Sequence, residues 1–275
     1  MRRTILAIIC LSVAIILQAG SSTAQAQGYV AQALGKGELY SNASLLDDVD
    51  GDGDLDIVII RSAKDGQPPA IEWLENDSTQ QFPRHLLYTD NSLKRPQGIR
   101  KCDCDGDGRT DYVVADAGSG FANDGQLFWL QRQADGTYIK WTLDVGAEFD
   151  EADVGDFNHD GRQDVVAVGR NLTTVNLYLN AGSLNFTKHT LATPVSGVDL
   201  VQAADIDGDG DIDIVCSGWI FRNNGDATFD SGQQLITYVF NSFTRGMVVT
   251  DLNGDGKMDV LAFAGSGSGG LYFFD

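Results

Sequence analysis

The chain has 275 residues, with 39 Asp and Glu against 19 Lys and Arg, a formal charge of −20 at pH 7. So much acid repels nucleic acid and anionic membrane surfaces, which excludes both as expected partners and calls for a neutralising cation. Apolar residues make up 43% of the chain, ample for the core of one large domain or two small ones.

In chain order, Arg2 and Arg3 precede an apolar run from Ile5 to Leu17 and then small residues ending in Ala24-Gln25-Ala26. The run is too short to span a bilayer comfortably, and the ending suits signal peptidase, so residues 1–26 read as a secretory signal peptide cut near Gln27. The expected mature domain, residues 27–275, is then secreted, extracellular or periplasmic, and carries −22 once Arg2 and Arg3 are lost. No later segment is apolar for long enough to predict a membrane span. Tyr29 to Leu34, "YVAQAL", has the character of a strand.

Next comes "DVDGDGDLD", the first of five loops that share one pattern: residues 48–56, 103–111, 156–164, 205–213 and 251–259. Their first aspartates lie 55, 53, 49 and 46 residues apart, which marks a tandem array. Side-chain oxygens at positions 1, 3, 5 and 9, with the backbone carbonyl of position 7, form a set of hard donors that suits Ca²⁺ better than Mg²⁺ or zinc. The predicted ligands are Asp48, Asp50, Asp52, Asp54 and Asp56 in the first loop, and Asp103, Asp105, Asp107, Arg109 and Asp111 in the second. Asp156, Asn158, Asp160, Arg162 and Asp164 form the third set, and Asp205, Asp207, Asp209, Asp211 and Asp213 the fourth. Asp251, Asn253, Asp255, Lys257 and Asp259 complete the fifth. Asp54, Arg109, Arg162, Asp211 and Lys257 occupy position 7, so they are expected to offer their carbonyls. Position 6 is always glycine, where the chain must turn sharply. An EF-hand needs Glu at position 12, whereas Ile59, Val114, Ala167, Cys216 and Ala262 stand there. Five ions would bring −22 to about −12.

Each loop leads into a β-branched run such as "DIVII". An aromatic strand ("IEWLEN", "LFWLQR", "NLYLN", "WIFRN"), a polar turn and a further strand ("FPRHLL", "YIKWTL", "FTKHTL") follow. With the strand entering each loop, four short strands fill each period, the size of one β-propeller blade. The last repeat runs to "LYFFD", and pairing residues 29–34 beside 271–274 would supply its fourth strand. The expected fold is therefore an all-β, five-bladed propeller closed by those two segments. Trp73, Trp129, Tyr178 and Phe221 read as one third-strand packing position, with Trp219 out of that register. His85, Trp141 and His189 share a fourth-strand slot, and Cys102, Cys104 and Cys216 read as small buried apolar residues.

The DxDxDGxxD loops, the "NNGDATF" and "FTKHTL" stretches and the period of about 50 residues resemble FG-GAP/VCBS repeats. These are the calcium-blade repeats of integrin α-subunit propellers and of many secreted bacterial proteins. The resemblance covers the mature chain and implies the propeller and its calcium. It leaves function open among adhesins, lectin-like modules and accessory domains of polysaccharide-degrading enzymes. Five blades in place of the integrin seven mean that an integrin-like ligand mode is not carried over.

With the loops joining first to second strands, the opposite face is the expected ligand face, and its loops carry Lys64, Lys94, Arg95, Arg170 and Arg245. Those cations could mark an acidic glycan or a carboxylate ligand. Glu72, Glu75, Glu148 and Glu151 are scattered without paired spacing, and neither GxSxG nor HExxH occurs, so no catalytic set is legible. The reading favoured is a secreted binding or adhesion module for a glycan or protein ligand. The alternative is a small polysaccharide lyase or glycoside hydrolase with an axial site.

Overall fold

The computed structural model of the chain describes residues 41–63, 66–78, 82–120, 122–172, 174–192, 198–235, 244–264 and 270–274. The expected signal peptide, the strand expected at 29–34, Lys64 and most of the 264–270 loop lie outside these residues. All described regular structure is β, in five antiparallel sheets arranged as a five-bladed propeller.

Blade one comprises β1 (Ser41–Asp47), β2 (Asp56–Arg61), β3 (Ala70–Leu74) and β4 (Arg84–Tyr88). Blade two comprises β5 (Pro96–Cys102), β6 (Asp111–Asp116), β7 (Gln126–Arg132) and β8 (Tyr138–Val145). Blade three has β9 (Glu151–Gly155), β10 (Asp164–Val168), β11 (Thr174–Asn180) and β12 (Phe186–Ala192). Blade four has β13 (Val201–Ala204), β14 (Asp213–Cys216), β15 (Trp219–Phe221) and a two-residue β16 (Gln233–Gln234). Blade five shows β17 (Thr244–Thr250), β18 (Asp259–Ala264) and β19 (Gly270–Phe274) among the described residues. Within each blade, sequence neighbours pair in order, so each acidic loop joins the first strand to the second and all five share one face. The first strands are innermost, and those of blades one to four each lie beside the first strand of the next blade.

Between their charged ends the second strands are apolar because both of their faces are covered. Tyr112 and Val114 on β6 pack against Val58 and Ile60 of blade one, while Val113 and Ala115 turn to Val165, Ala167 and Tyr178 of blade three. Val166 and Val168 meet Ile214 and Cys216, and Val215 meets Met247 and Val260. The core is thus a series of interblade seams, as expected for a fold in which each unit buries its faces only against its neighbours.

The third-strand register differs from the sequence expectation by one residue. Ile57 pairs with Leu74, Tyr112 with Leu130, Val165 with Tyr178 and Ile214 with Phe221. Trp73 and Trp129 therefore align with Leu177 and Ile220, and Tyr178 and Phe221 stand one position later, on the other face of the sheet. Trp219, the first residue of β15, is half-buried and stacks on Phe221 with ring centroids 6.2 Å apart. The fourth-strand slot is as expected: His85, Trp141 and His189 lie opposite Trp73, Trp129 and Leu177.

Candidate metal centres

Position 9 of every loop is the first residue of a second strand, paired with the last residue of the first, as in Asp47 with Asp56 and Cys102 with Asp111. The strand pair draws this carboxylate out of water: Asp56, Asp111, Asp164, Asp213 and Asp259 are all buried. One oxygen accepts the position-2 N–H, from Val49, Cys104, Phe157, Ile206 and Leu252 at 2.9–3.2 Å. In four blades the other accepts an N–H at or just beyond the end of the third strand: Asn76 (2.8 Å), Arg132 (2.8 Å), Asn180 (2.7 Å) and Asn223 (2.8 Å). The equivalent Asp259 Oδ1 is buried without a hydrogen-bond partner among the described residues.

Position 1 shapes the turn. Its Oδ2 accepts the N–H of the position-6 glycine in all five loops, from Gly53 to Asp48, Gly108 to Asp103, Gly161 to Asp156, Gly210 to Asp205 and Gly256 to Asp251. Those glycines have φ between 81° and 95°. Position 5 accepts the N–H of position 7, as in Asp52 from Asp54 and Asp209 from Asp211.

These local bonds bring positions 1, 3 and 9 together. Oxygens of Asp48, Asp50 and Asp56 lie within 4.8 Å of one another, as do those of Asp103, Asp105 and Asp111, and of Asp205, Asp207 and Asp213. The third and fifth loops have Asn158 and Asn253 at position 3, each donating Nδ2 to the position-5 carboxylate, Asp160 (3.1 Å) and Asp255 (3.3 Å). The position-5 aspartates stand outside these triads. Two position-7 side chains reach outside their loop, Asp54 accepting from Ser78 Oγ (2.8 Å) and Asp211 pairing with His159 of the preceding loop (2.5 Å), whereas Arg109 and Arg162 pair with the position-5 carboxylates of their own loops, Asp107 and Asp160.

Electrostatics fits a cation here. Burial, aided by neighbouring aspartates, pushes the Asp111 and Asp164 carboxyls up to about 6 and raises Asp56 and Asp213, against backbone hydrogen bonds that favour the charged form. Oxygens packed this closely are costly as bare anions, and a metal ion among them reverses that cost.

One contact set was not legible in the sequence. Arg132 Nη2 donates to the Val49 carbonyl of blade one (2.6 Å), Asn180 Nδ2 to Cys104 of blade two (2.8 Å) and Asn223 Nδ2 to Phe157 of blade three (2.7 Å). The residue whose N–H holds its own position-9 carboxylate thus also clasps position 2 of the preceding loop.

On the opposite face two of the five cations carry ion pairs among the described residues. Lys94 pairs with Asp124 (2.7 Å) and Arg170 with buried Asp150 (3.0 Å). Arg245 falls within β17, and Arg95 has no ion-pair partner among the described residues. Buried Asp116 organises this face, accepting N–H groups from Lys94, Arg95 and Gly118. Three of the four glutamates carry cationic partners: Glu72 holds Arg61 and Arg84, and Glu75 holds His85. Glu151 shares Arg100 with Asp153, at 3.2 and 3.3 Å, on the inner strands β5 and β9.

Five blades built on a repeated acidic loop define a β-propeller whose loops can hold metal ions. The chain belongs to the FG-GAP-like repeat family, whose model matches residues 48–114, 103–167, 156–216 and 217–262. Among solved structures it is similar to the V. cholerae biofilm matrix protein Bap1, with 17% identity and a TM-score of 0.44. That match covers 84% of this chain and spans 36% of the Bap1 chain. It is also similar to BBS1N in complex with ARL6DN, with 13% identity, a TM-score of 0.38 and coverage of 86% and 92%. No curated protein matches the chain in sequence.

Proposed function

We propose that the five loops hold calcium and that the protein acts outside the cell as a binding or adhesion module, taking a carbohydrate or protein ligand on the face opposite the loops. The supporting observation is the contrast between the faces. One face repeats the same oxygen-only donor set, with convergent carboxylates in three loops. The other varies from blade to blade and is lined by polar groups, including Asp116, Asp150 with Arg170, and Arg95. Positions 1, 3, 5 and 9 and the position-7 carbonyl would hold an ion that tolerates six to eight irregular oxygens. Free calcium at ten times its dissociation constant stabilises by about 1.4 kcal/mol per site.

Melting with calcium and with EDTA tests the metal: the melting temperature rises steeply with calcium and isothermal titration gives about five ions per chain. Equal melts would remove calcium from the fold. Ligand binding is tested on arrays of glycans and matrix proteins with the calcium-loaded protein, and silence on both arrays refutes the binding reading.

A second reading, an axial lyase or glycoside hydrolase, draws on Glu151, which burial pushes up to about 7 despite the Arg100 charge. A carboxyl that holds its proton near neutrality can serve as a general acid. Sugar release from acidic polysaccharides, abolished in Glu151→Gln, would support it.

A further inference from the structure

Cys102 and Cys104 are both buried, and their sulfurs lie 2.7 Å apart. That is closer than the about 3.5–4.0 Å at which non-bonded carbon atoms pack. It is also a short step from the bond length of about 2.05 Å. Cys102 ends β5 and Cys104 is position 2 of the second loop, so the pair flanks Asp103, the position-1 carboxylate. The equivalent pairs in the other blades are Asp47 and Val49, Gly155 and Phe157, Ala204 and Ile206, and Thr250 and Leu252. Only blade two can be bridged here, and Cys216, buried in the seam between blades three and four, has no such neighbour.

We propose that Cys102 and Cys104 are a modification site at which an intraloop disulfide forms. In chemical terms, one thiol, as its thiolate, attacks an exogenous disulfide such as oxidised glutathione, and one glutathione leaves as its thiol. The second cysteine then displaces the second glutathione. The cysteines lose two protons and two electrons, and the glutathione disulfide gains them. Because blade three covers both sulfurs through Phe149, Ala152 and Tyr178, the exchange takes place before that seam closes. The product is a small ring that fixes the backbone on either side of Asp103. It also fixes the Cys104 carbonyl that Asn180 clasps. The bridge stands independently of the calcium and ligand assignments.

To test it, fully reduced, unfolded protein is refolded with calcium in a glutathione redox buffer, alkylated in denaturant and digested with trypsin. Cleavage after Lys101 and Arg109 releases Cys102–Arg109, which holds both cysteines and no other. The expected peptide is unalkylated and lighter by two hydrogen atoms than its reduced form, while Cys216 is alkylated. Recovery of the peptide with both cysteines alkylated from natively folded protein overturns the proposal, as does linkage of either cysteine to Cys216. Repeating the refolding with Cys216→Ser removes shuffling through the third thiol, and the same cyclic peptide is expected.

Discussion

A position-6 glycine such as Gly108 carries the cost of the turn on its backbone. Its φ is +83°, its N–H holds Asp103, and an added Cβ would meet nothing within 4 Å. Gly108→Ala therefore strains only the backbone, and chemical denaturation is expected to reveal a loss of about 1–2 kcal/mol. At position 4 the third loop uses His159 at φ +57°, where the other four loops use glycine. Its bond to Asp211 of the next loop accounts for a side chain in that strained place. Residue-level chemistry is where the sequence was most legible. The turn contacts made by positions 1 and 5 lie within five residues, so spacing alone reveals them.

Between elements the decisive contacts are remote in sequence. The N–H that fixes third-strand register reaches its position-9 carboxylate across 20, 21, 16 and 10 residues in blades one to four. Intervening loops of unequal length hide that link. Matching aromatics by eye consequently put Tyr178 and Phe221 with Trp73 and Trp129, one residue out. The clasp side chains escaped notice for the same reason, since Arg132, Asn180 and Asn223 share a role and not an identity. Asn180→Ala would leave the Cys104 and Gln163 carbonyls without their donor, costing about 2–3 kcal/mol in urea unfolding. Asn76, whose Nδ2 makes one exposed 3.3 Å bond to Leu55, is expected to cost about 1 kcal/mol or less when changed to alanine.

At the scale of the molecule, blades meet around an axis lined by the first strands. There Arg100 spans blades two and three, Asp153 accepts the Ala203 N–H of blade four (2.9 Å), and Gln202 accepts the Val249 N–H of blade five (2.7 Å). Burial raises Glu151 and Asp153 above ordinary carboxylates, with Asp150 close by and Arg100 the opposing charge. Folded protein therefore binds a proton on Glu151 that the unfolded chain has released, so this group's stabilisation is present below about pH 4.5 and is lost as pH rises to about 7. Glu151→Gln should flatten the stability profile across that window, as read by denaturation at several pH values. Leu271 and Phe273 of β19 are 68% and 48% exposed, whereas Ile71 and Leu127, and Trp129 and Leu177, are buried at the matching positions. That apolar edge is where the sequence expects residues 29–34, which lie outside the described residues. The clasps give the array a polarity, because each runs from one blade to the loop before it. A metal ion that stiffens one loop therefore steadies the third strand of the blade that follows. Filling of one loop would thereby bear on the next, and the order in which the loops filled would not have to be the order of their affinities.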